Sequence, residues 1–299
     1  MSNNLISGER LMKIADLCIV EKNCLPNLLN GISKYIEVGY GGQDPNMSIP
    51  LNTELIQKKN IDKFKNSKII FVKTDFITIF FDIYYQYLEN NLIIITHNSD
   101  YPIDELKRKY IDLPKIKLWF GMNTLIQHPK LITIPIGIAN SQYKHGNIDL
   151  LESIKNDKSF KNNLLMVNFN TVTNKNKRIN ILNLMKKKGF QVNDSSINPV
   201  NQKEYLKKLS SSKFCIAPPG NGFDCHRIWE CIFLDVIPII EKNDAFKQFS
   251  DLPILEVDDW NVLNKEYLNN IYSTFSKKNK NKSLFDFWIK TINSTQIIR

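Results

Sequence analysis

Residues 213–241 read KFCIAPPGNGFDCHRIWECIFLDVIPIIE, and the types and spacing of their side chains suit the binding of a phosphorylated ligand. An apolar run stops at Pro218 and Pro219, and Gly220, Asn221 and Gly222 follow. Glycines so placed permit positive φ and a close approach of backbone to ligand. Asp224 is expected to cap a helix over 224–234, whose free first-turn amides and dipole favour an anion such as a pyrophosphate. Within that helix Trp229, Ile232 and Phe233 recur at core spacing, whereas Arg227 and Glu230, three residues apart, share another face. Arg227 offers bidentate hydrogen bonds to phosphate oxygens as a leaving group gains charge, and Glu230 offers an acceptor for ribose hydroxyls. His226 adjoins Arg227, within reach of the same phosphate. An ordinary surface ion pair is the plainer account of the two charges.

Other elements must hold this segment in place. The apolar runs 68–72 and 92–96 flank an amphipathic aromatic stretch over 76–87, which reads as strand, helix, strand. A helix over 104–110 and a strand over 131–136 follow. The second half repeats the rhythm with a strand over 163–167 and helices over 177–188 and 203–210. A strand over 213–217, the helix 224–234 and a strand over 236–240 complete it. Apolar strands alternating with helices imply parallel sheets covered on both faces. At 299 residues the chain suits two domains of about 150 residues. The expected division is 1–150, 151–282 and a C-terminal helix over 283–299 that packs back on the first domain, with the boundary in the polar stretch 141–162.

In order, Phe214, Pro219, Gly220, Asp224, Arg227, Trp229, Glu230, Ile237, Pro238 and Ile239 form a set that resembles the C-terminal signature of exostosin-type glycosyltransferases, family 47. The loop 168–178 (NFNTVTNKNKR) resembles the part of that family that faces the donor diphosphate, with Asn170, Thr171 and Arg178 as the matching residues. FVKTD at 71–75, HNSDYP at 97–102 and KLITIPIG at 130–137 resemble the short exostosin-like proteins of microbes and viruses. The resemblance implies an α/β chain of GT-B type, two Rossmann-like domains facing a cleft. It also implies a nucleotide-sugar donor, a UDP-sugar in the first instance, and donor contacts from Arg227 and Glu230. VDDW at 257–260 is similar to the end of the family's donor domain. Its Asp258 and Asp259 look like a metal-binding pair, but a helix N-cap is the favoured reading.

Transfer with inversion needs a base within hydrogen-bond reach of the acceptor hydroxyl. The loop after the strand 92–96 supplies Asp100, the first candidate, and His97, the second. Asp75, at the end of another strand, is in reserve. Turn capping ahead of Tyr101 and Pro102 is the plain account of Asp100, and a satisfied interior histidine that of His97.

The composition, 42% hydrophobic and 23% charged, excludes a disordered or fibrous chain. Forty Lys and Arg against 30 Asp and Glu give a net charge of +10, which favours anionic partners. Solvated Asn/Lys-rich surface at 174–177 and 277–282 is the favoured account of the same excess. Five cysteines without CxxC spacing and four scattered histidines indicate neither a disulfide framework nor a metal site, so no cofactor or metal is expected. The residues at 1–13 do not read as a signal peptide, and no run approaches ~20 apolar residues. The expectation is a cytoplasmic enzyme with a nucleotide-sugar donor, a glycan or glycoprotein acceptor, and at most peripheral membrane contact. A noncatalytic nucleotide- or glycan-binding module is the alternative. A nucleic-acid-binding protein would suit the charge but lacks an aromatic/basic recognition motif. A dehydrogenase would need an early GxGxxG, and Gly41 and Gly42 stand outside any strand-to-helix context.

Overall fold

A computed structural model of the chain describes residues 4–21, 32, 34–38, 61, 64–157 and 160–297. These fall into two compact units, the first comprising Ser7–Ile136 with Trp288–Arg299 and the second Gly137–Phe287 with Met1–Ile6. The division precedes the polar stretch 141–162 because Ile138 belongs, with Leu5, Leu151 and Ile154, to a core of the second unit. Gly137 makes the turn at φ +68°, where a Cβ would lie 2.1 Å from the carbonyl oxygen of Ile6. Gly41, Gly42 and Cys24 lie outside the described residues.

Each unit is built on one parallel sheet. The first contains β1 (Leu17–Glu21), β2 (Tyr35–Val38), β3 (Ile69–Lys73), β4 (Leu92–His97), β5 (Ile116–Gly121) and β6 (Leu131–Thr133). Its order is β2-β1-β3-β4-β5-β6, and all its pairs are parallel. The second contains β7 (Asn163–Phe169), β8 (Val192–Asp194), β9 (Ser212–Ile216), β10 (Ile237–Glu241) and β11 (Leu255–Val257). Its order is β11-β10-β9-β7-β8, again parallel throughout. In both units the first strand lies between the second and the third. This is the doubly wound α/β order, with its topological switch point between the first and third strands.

Period-two alternation covers both faces of the second sheet. Leu165, Val167 and Phe169 of β7, with Phe214 and Ile216 of β9, point into a core shared with Ile181 and Met185 of the helix Lys175–Lys187. Met166 and Cys215 point the other way, against Leu206 and Leu209 of the helix Gln202–Ser210 and Cys231 of the helix His226–Phe233. The connections therefore change face between β7 and β9.

The first unit departs from the expected helices. The stretch 76–87 is a succession of short turns: 3-10 at Thr74–Phe76, one α turn at Ile77–Ile79, π geometry at Phe80–Tyr84 and 3-10 again at Tyr85–Tyr87. Aromatic and β-branched residues are poor helix formers, and tertiary packing decides their path instead. Phe81 stacks on Tyr110 with centroids 4.3 Å apart and planes 6° from parallel. The helix expected over 104–110 is a 3-10 turn at Glu105–Lys107 followed by Arg108–Ile111. The strand expected over 131–136 ends at Thr133, ahead of Pro135.

Candidate functional site

The carboxyl ends of β7 and β9 flank the switch point of the second sheet, and the two loops singled out in the sequence leave from them. Arg178, 7% exposed, ties these loops together. Its Nε donates to Pro219 O at 2.9 Å, Nη1 to Asn170 O at 2.8 Å and Nη2 to Pro218 O at 3.3 Å. Asn174, in the left-handed region at φ 53°, adds a bond from Nδ2 to Gly220 O at 3.2 Å. The structure thus brings Asn170, Arg178, Pro219 and Gly220 together.

The two glycines do not serve as expected. Neither Gly220 nor Gly222 has positive φ, because the double proline and a bond from Gly220 N to Gly222 O at 3.0 Å already turn the chain. Gly220 packs closely against the protein itself: a Cβ there would lie 3.3 Å from Arg178 Nη2, which would have to give by a few tenths of an ångström. Its amide is engaged within the loop. Thr171, buried, donates from Oγ1 to Asp194 Oδ2 at 2.6 Å. Asn170 Oδ1 accepts from Val172 N at 2.7 Å. Asn221 is exposed at the tip.

The helix after β9 runs from His226 to Phe233, and its N-cap is Cys225 rather than Asp224. Asp224 is diverted: its Oδ1 accepts from Trp229 Nε1 at 2.7 Å, anchoring the indole against Phe249. The side chains of the N-cap residues, Cys225 here and Asn174 in the helix Lys175–Lys187, make no cap hydrogen bond. Burial pushes the Cys225 thiol up to about 11 despite the nearby Arg227, so it stays protonated and is no nucleophile.

Arg227 and Glu230 are not a surface ion pair. Glu230 is 7% exposed, and its Oε2 accepts from Tyr205 Oη at 3.0 Å, while Oε1 makes no hydrogen bond. Burial raises the Glu230 carboxyl above its ordinary value, against the pull of Arg227 and the Tyr205 bond. The half-buried Arg227 lies over the Tyr205 ring, 6.0 Å from its centroid, and its Nε is buried without a hydrogen-bond partner. Burial and the like charge of Arg227 hold Arg178 below its ordinary value. Two guanidinium groups thus face one another electrostatically, and neither forms an ion pair among the described residues. His226 Nδ1 donates to Gly137 O at 2.8 Å. Tyr205 carries no sequence signal beyond one aromatic on an amphipathic helix, and Asp194 none beyond a polar residue after a short strand.

In the first unit, His97 is 1% exposed, with Nε2 donating to Pro135 O at 3.0 Å and Nδ1 3.0 Å from Asn98 Oδ1. Burial lowers its pKa, as for an interior histidine held neutral. Asp100 is exposed in the loop beyond β4. In VDDW, Asp259 caps the turn Trp260–Val262, its side chain accepting from Asn261 N at 2.8 Å, and Asp258 pairs with Lys242 at 3.3 Å. Among the described residues no three His, Cys, Asp or Glu side chains cluster as metal ligands, and no helix is long and apolar enough to cross a membrane. A comparison with protein-family models and with curated proteins finds no match to the chain.

Proposed function

We propose that the chain is a glycosyltransferase of GT-B type that moves a sugar from a nucleotide-sugar donor to a hydroxyl acceptor, with the donor held at the β7/β9 switch point. One observation carries this reading: at that switch point Arg227 Nε is buried with no hydrogen-bond partner, and Arg178 feels the like charge of Arg227. A dianionic diphosphate supplies what such a site lacks. Two helix N-termini follow from the same strands and carry partial positive charge.

Arg178 is a positioning residue, since its guanidinium bonds go to backbone carbonyls. Arg227 is the group left for phosphate oxygens. As the bond from the anomeric carbon to the diphosphate breaks, charge builds on the leaving oxygen, and a fixed cation in a partly desolvated site stabilises that charge most. Glu230 Oε1 remains for a ribose hydroxyl. The acceptor hydroxyl attacks the anomeric carbon as the bond to the diphosphate breaks, and its proton passes to a base, for which Asp100 is the first candidate and the buried His97 the second.

The test is a thermal-shift series with UDP, GDP, CMP, ADP and dTDP, with and without EDTA, on the natural protein and on Arg227→Ala. A nucleotide present at about 100 times its Kd stabilises by about 2.7 kcal/mol. One nucleotide should do so in EDTA, and Arg227→Ala should lose the effect while remaining folded. Stabilisation by none of them would remove the proposal. Binding without any transfer from the matching sugar nucleotides would leave a noncatalytic module.

A further inference from the structure

Lys161 stands just before β7 and Asp235 just before β10, at the amino ends of the second sheet's strands. Lys161 Nζ donates to Ser210 O at 2.7 Å and to Leu234 O at 2.9 Å. These carbonyls close two helices: Ser210 is the last residue of Gln202–Ser210, and Leu234 is the C-cap of His226–Phe233. Asp235, in the left-handed region at φ 57°, pairs with both Lys155 and Lys280. Lys161 forms no ion pair among the described residues, although Asp235, Lys155 and Lys280 are all close enough to act on its charge.

Two features set Lys161 apart from the other two lysines. Its two carbonyl partners match the two N–H groups of an uncharged amine, whereas an ammonium has three to place. Three ammonium groups around the single carboxylate of Asp235 would also leave the cluster with an uncompensated excess of positive charge. Burial pulls Lys161 down to about 8, against the attraction of Asp235. At pH 7.5 about a quarter of this amine is then uncharged, against about a thousandth of an ordinary lysine. The buried Cys231 thiol, the remaining titratable neighbour, is raised by burial and stays protonated.

An uncharged lysine is a nucleophile, and its neighbours decide which electrophile suits it. A neutral acyl group would leave Lys155 and Lys280 with one carboxylate between them. Carbon dioxide adds a second anion. The nitrogen lone pair forms the N–C bond, one C=O π pair moves onto oxygen, and an amine proton passes to water, leaving a carbamate. Two ammonium groups then face two anions, and the nitrogen keeps one N–H for a helix-end carbonyl.

We infer that Lys161 is a site of reversible carbamylation by carbon dioxide, with Lys155 and Lys280 as the cations that hold the carbamate. The site is built from residues of the second unit alone, at the opposite end of its strands from the nucleotide loops, and it does not depend on the function proposed above.

Triethyloxonium traps carbamates as ethyl esters, and peptide mass mapping locates them. With isotope-labelled bicarbonate at pH 7.5, trapped label at Lys161 of the natural protein should exceed that at the exposed Lys203 and Lys208 by at least about 10-fold. This comparison needs no substitution. Label at Lys161 no greater than at those two lysines would overturn the inference and leave Lys161 a structural cap for the two helices. The neighbours are tested by two variants of opposite effect. Lys155→Gln combined with Lys280→Gln should lower the label at Lys161 by about 3-fold to 30-fold, through loss of two ion pairs. Asp235→Asn removes the competing carboxylate and should raise it. Label that moves in neither variant would overturn the role of the cluster.

Discussion

Tyr205 donates its hydroxyl hydrogen to Glu230 at 3.0 Å, and this bond joins the helix Gln202–Ser210 to the helix that carries Arg227. Burial raises the Glu230 carboxyl above its ordinary 4.5, so over a window beginning there the folded chain binds more protons than the unfolded chain. Stability contributed by this group is therefore full below that pH and falls as pH rises through the window. Glu230→Gln keeps an acceptor for Tyr205 and removes the titration. Urea unfolding from pH 4 to pH 8 should show a smaller decline for the variant than for the natural protein. Tyr205→Phe should lose about 1–3 kcal/mol, because it leaves a buried Glu230 oxygen without its donor. Parallel pH profiles for the natural protein and Glu230→Gln would show that Glu230 does not carry the titration.

The two arginines of the site should separate cleanly. Arg178 satisfies three backbone carbonyls from a buried position. Arg178→Ala should therefore cost about 2–4 kcal/mol by equilibrium unfolding, because buried acceptors are stranded. Arg178→Lys should recover only part of this, since an ammonium cannot reproduce the fork. Arg227 leaves its Nε without a partner, so Arg227→Gln should change stability by less than about 1 kcal/mol while weakening nucleotide binding. Equal stability losses for Arg178→Ala and Arg227→Gln would contradict the division of roles.

Much of the second unit was legible in its sequence. Strands β7, β9 and β10 are apolar runs bounded by Asn, Pro and Gly, and the loops at 168–178 and 217–222 are marked by the same residues. Other elements were not. β8 and β11 have three residues each, too few for a period to register, and Lys117 breaks the apolar run of β5. β1 and β2 are short, and no position of β2 is fully buried, so its sequence carries no apolar run. Asp224 reads as a cap because local chemistry favours it there, and only the fold reveals that Trp229 takes its carboxylate. The Tyr205 partnership with Glu230 spans 25 residues, beyond the reach of any local pattern.

His97 gives the first unit an acid limit. Burial lowers its pKa below the ordinary 6.5, so the unfolded chain binds more protons as pH falls through that value, and stability drops. His97→Gln should cost about 1–3 kcal/mol at pH 7.5, where the bonds to Pro135 and Asn98 are disturbed. The variant has no imidazole to protonate, so its deficit should shrink as pH falls from 6.5 to 5. A deficit that stays constant from pH 5 to pH 7.5 in urea titrations would show that His97 is not the titrating group.

Gly137 links the edge of the second unit to its site, because its carbonyl accepts from His226 Nδ1 at 2.8 Å, at the first residue of the helix that carries Arg227. An alanine there would adopt φ +68° and place Cβ 2.1 Å from Ile6 O, a backbone atom that cannot swing aside. The left-handed conformation alone costs about 1–2 kcal/mol, and relief of the overlap must move the turn itself. Gly137→Ala should therefore lose at least about 2 kcal/mol of stability and shift the imidazole NMR resonances of His226. A second variant, His226→Ala, breaks the same bond without straining Gly137 and should cost only about 0.5–1.5 kcal/mol. If Gly137→Ala proved no more harmful than His226→Ala, the turn would be pliable, and the bond to His226, rather than the glycine conformation, would fix this end of the helix.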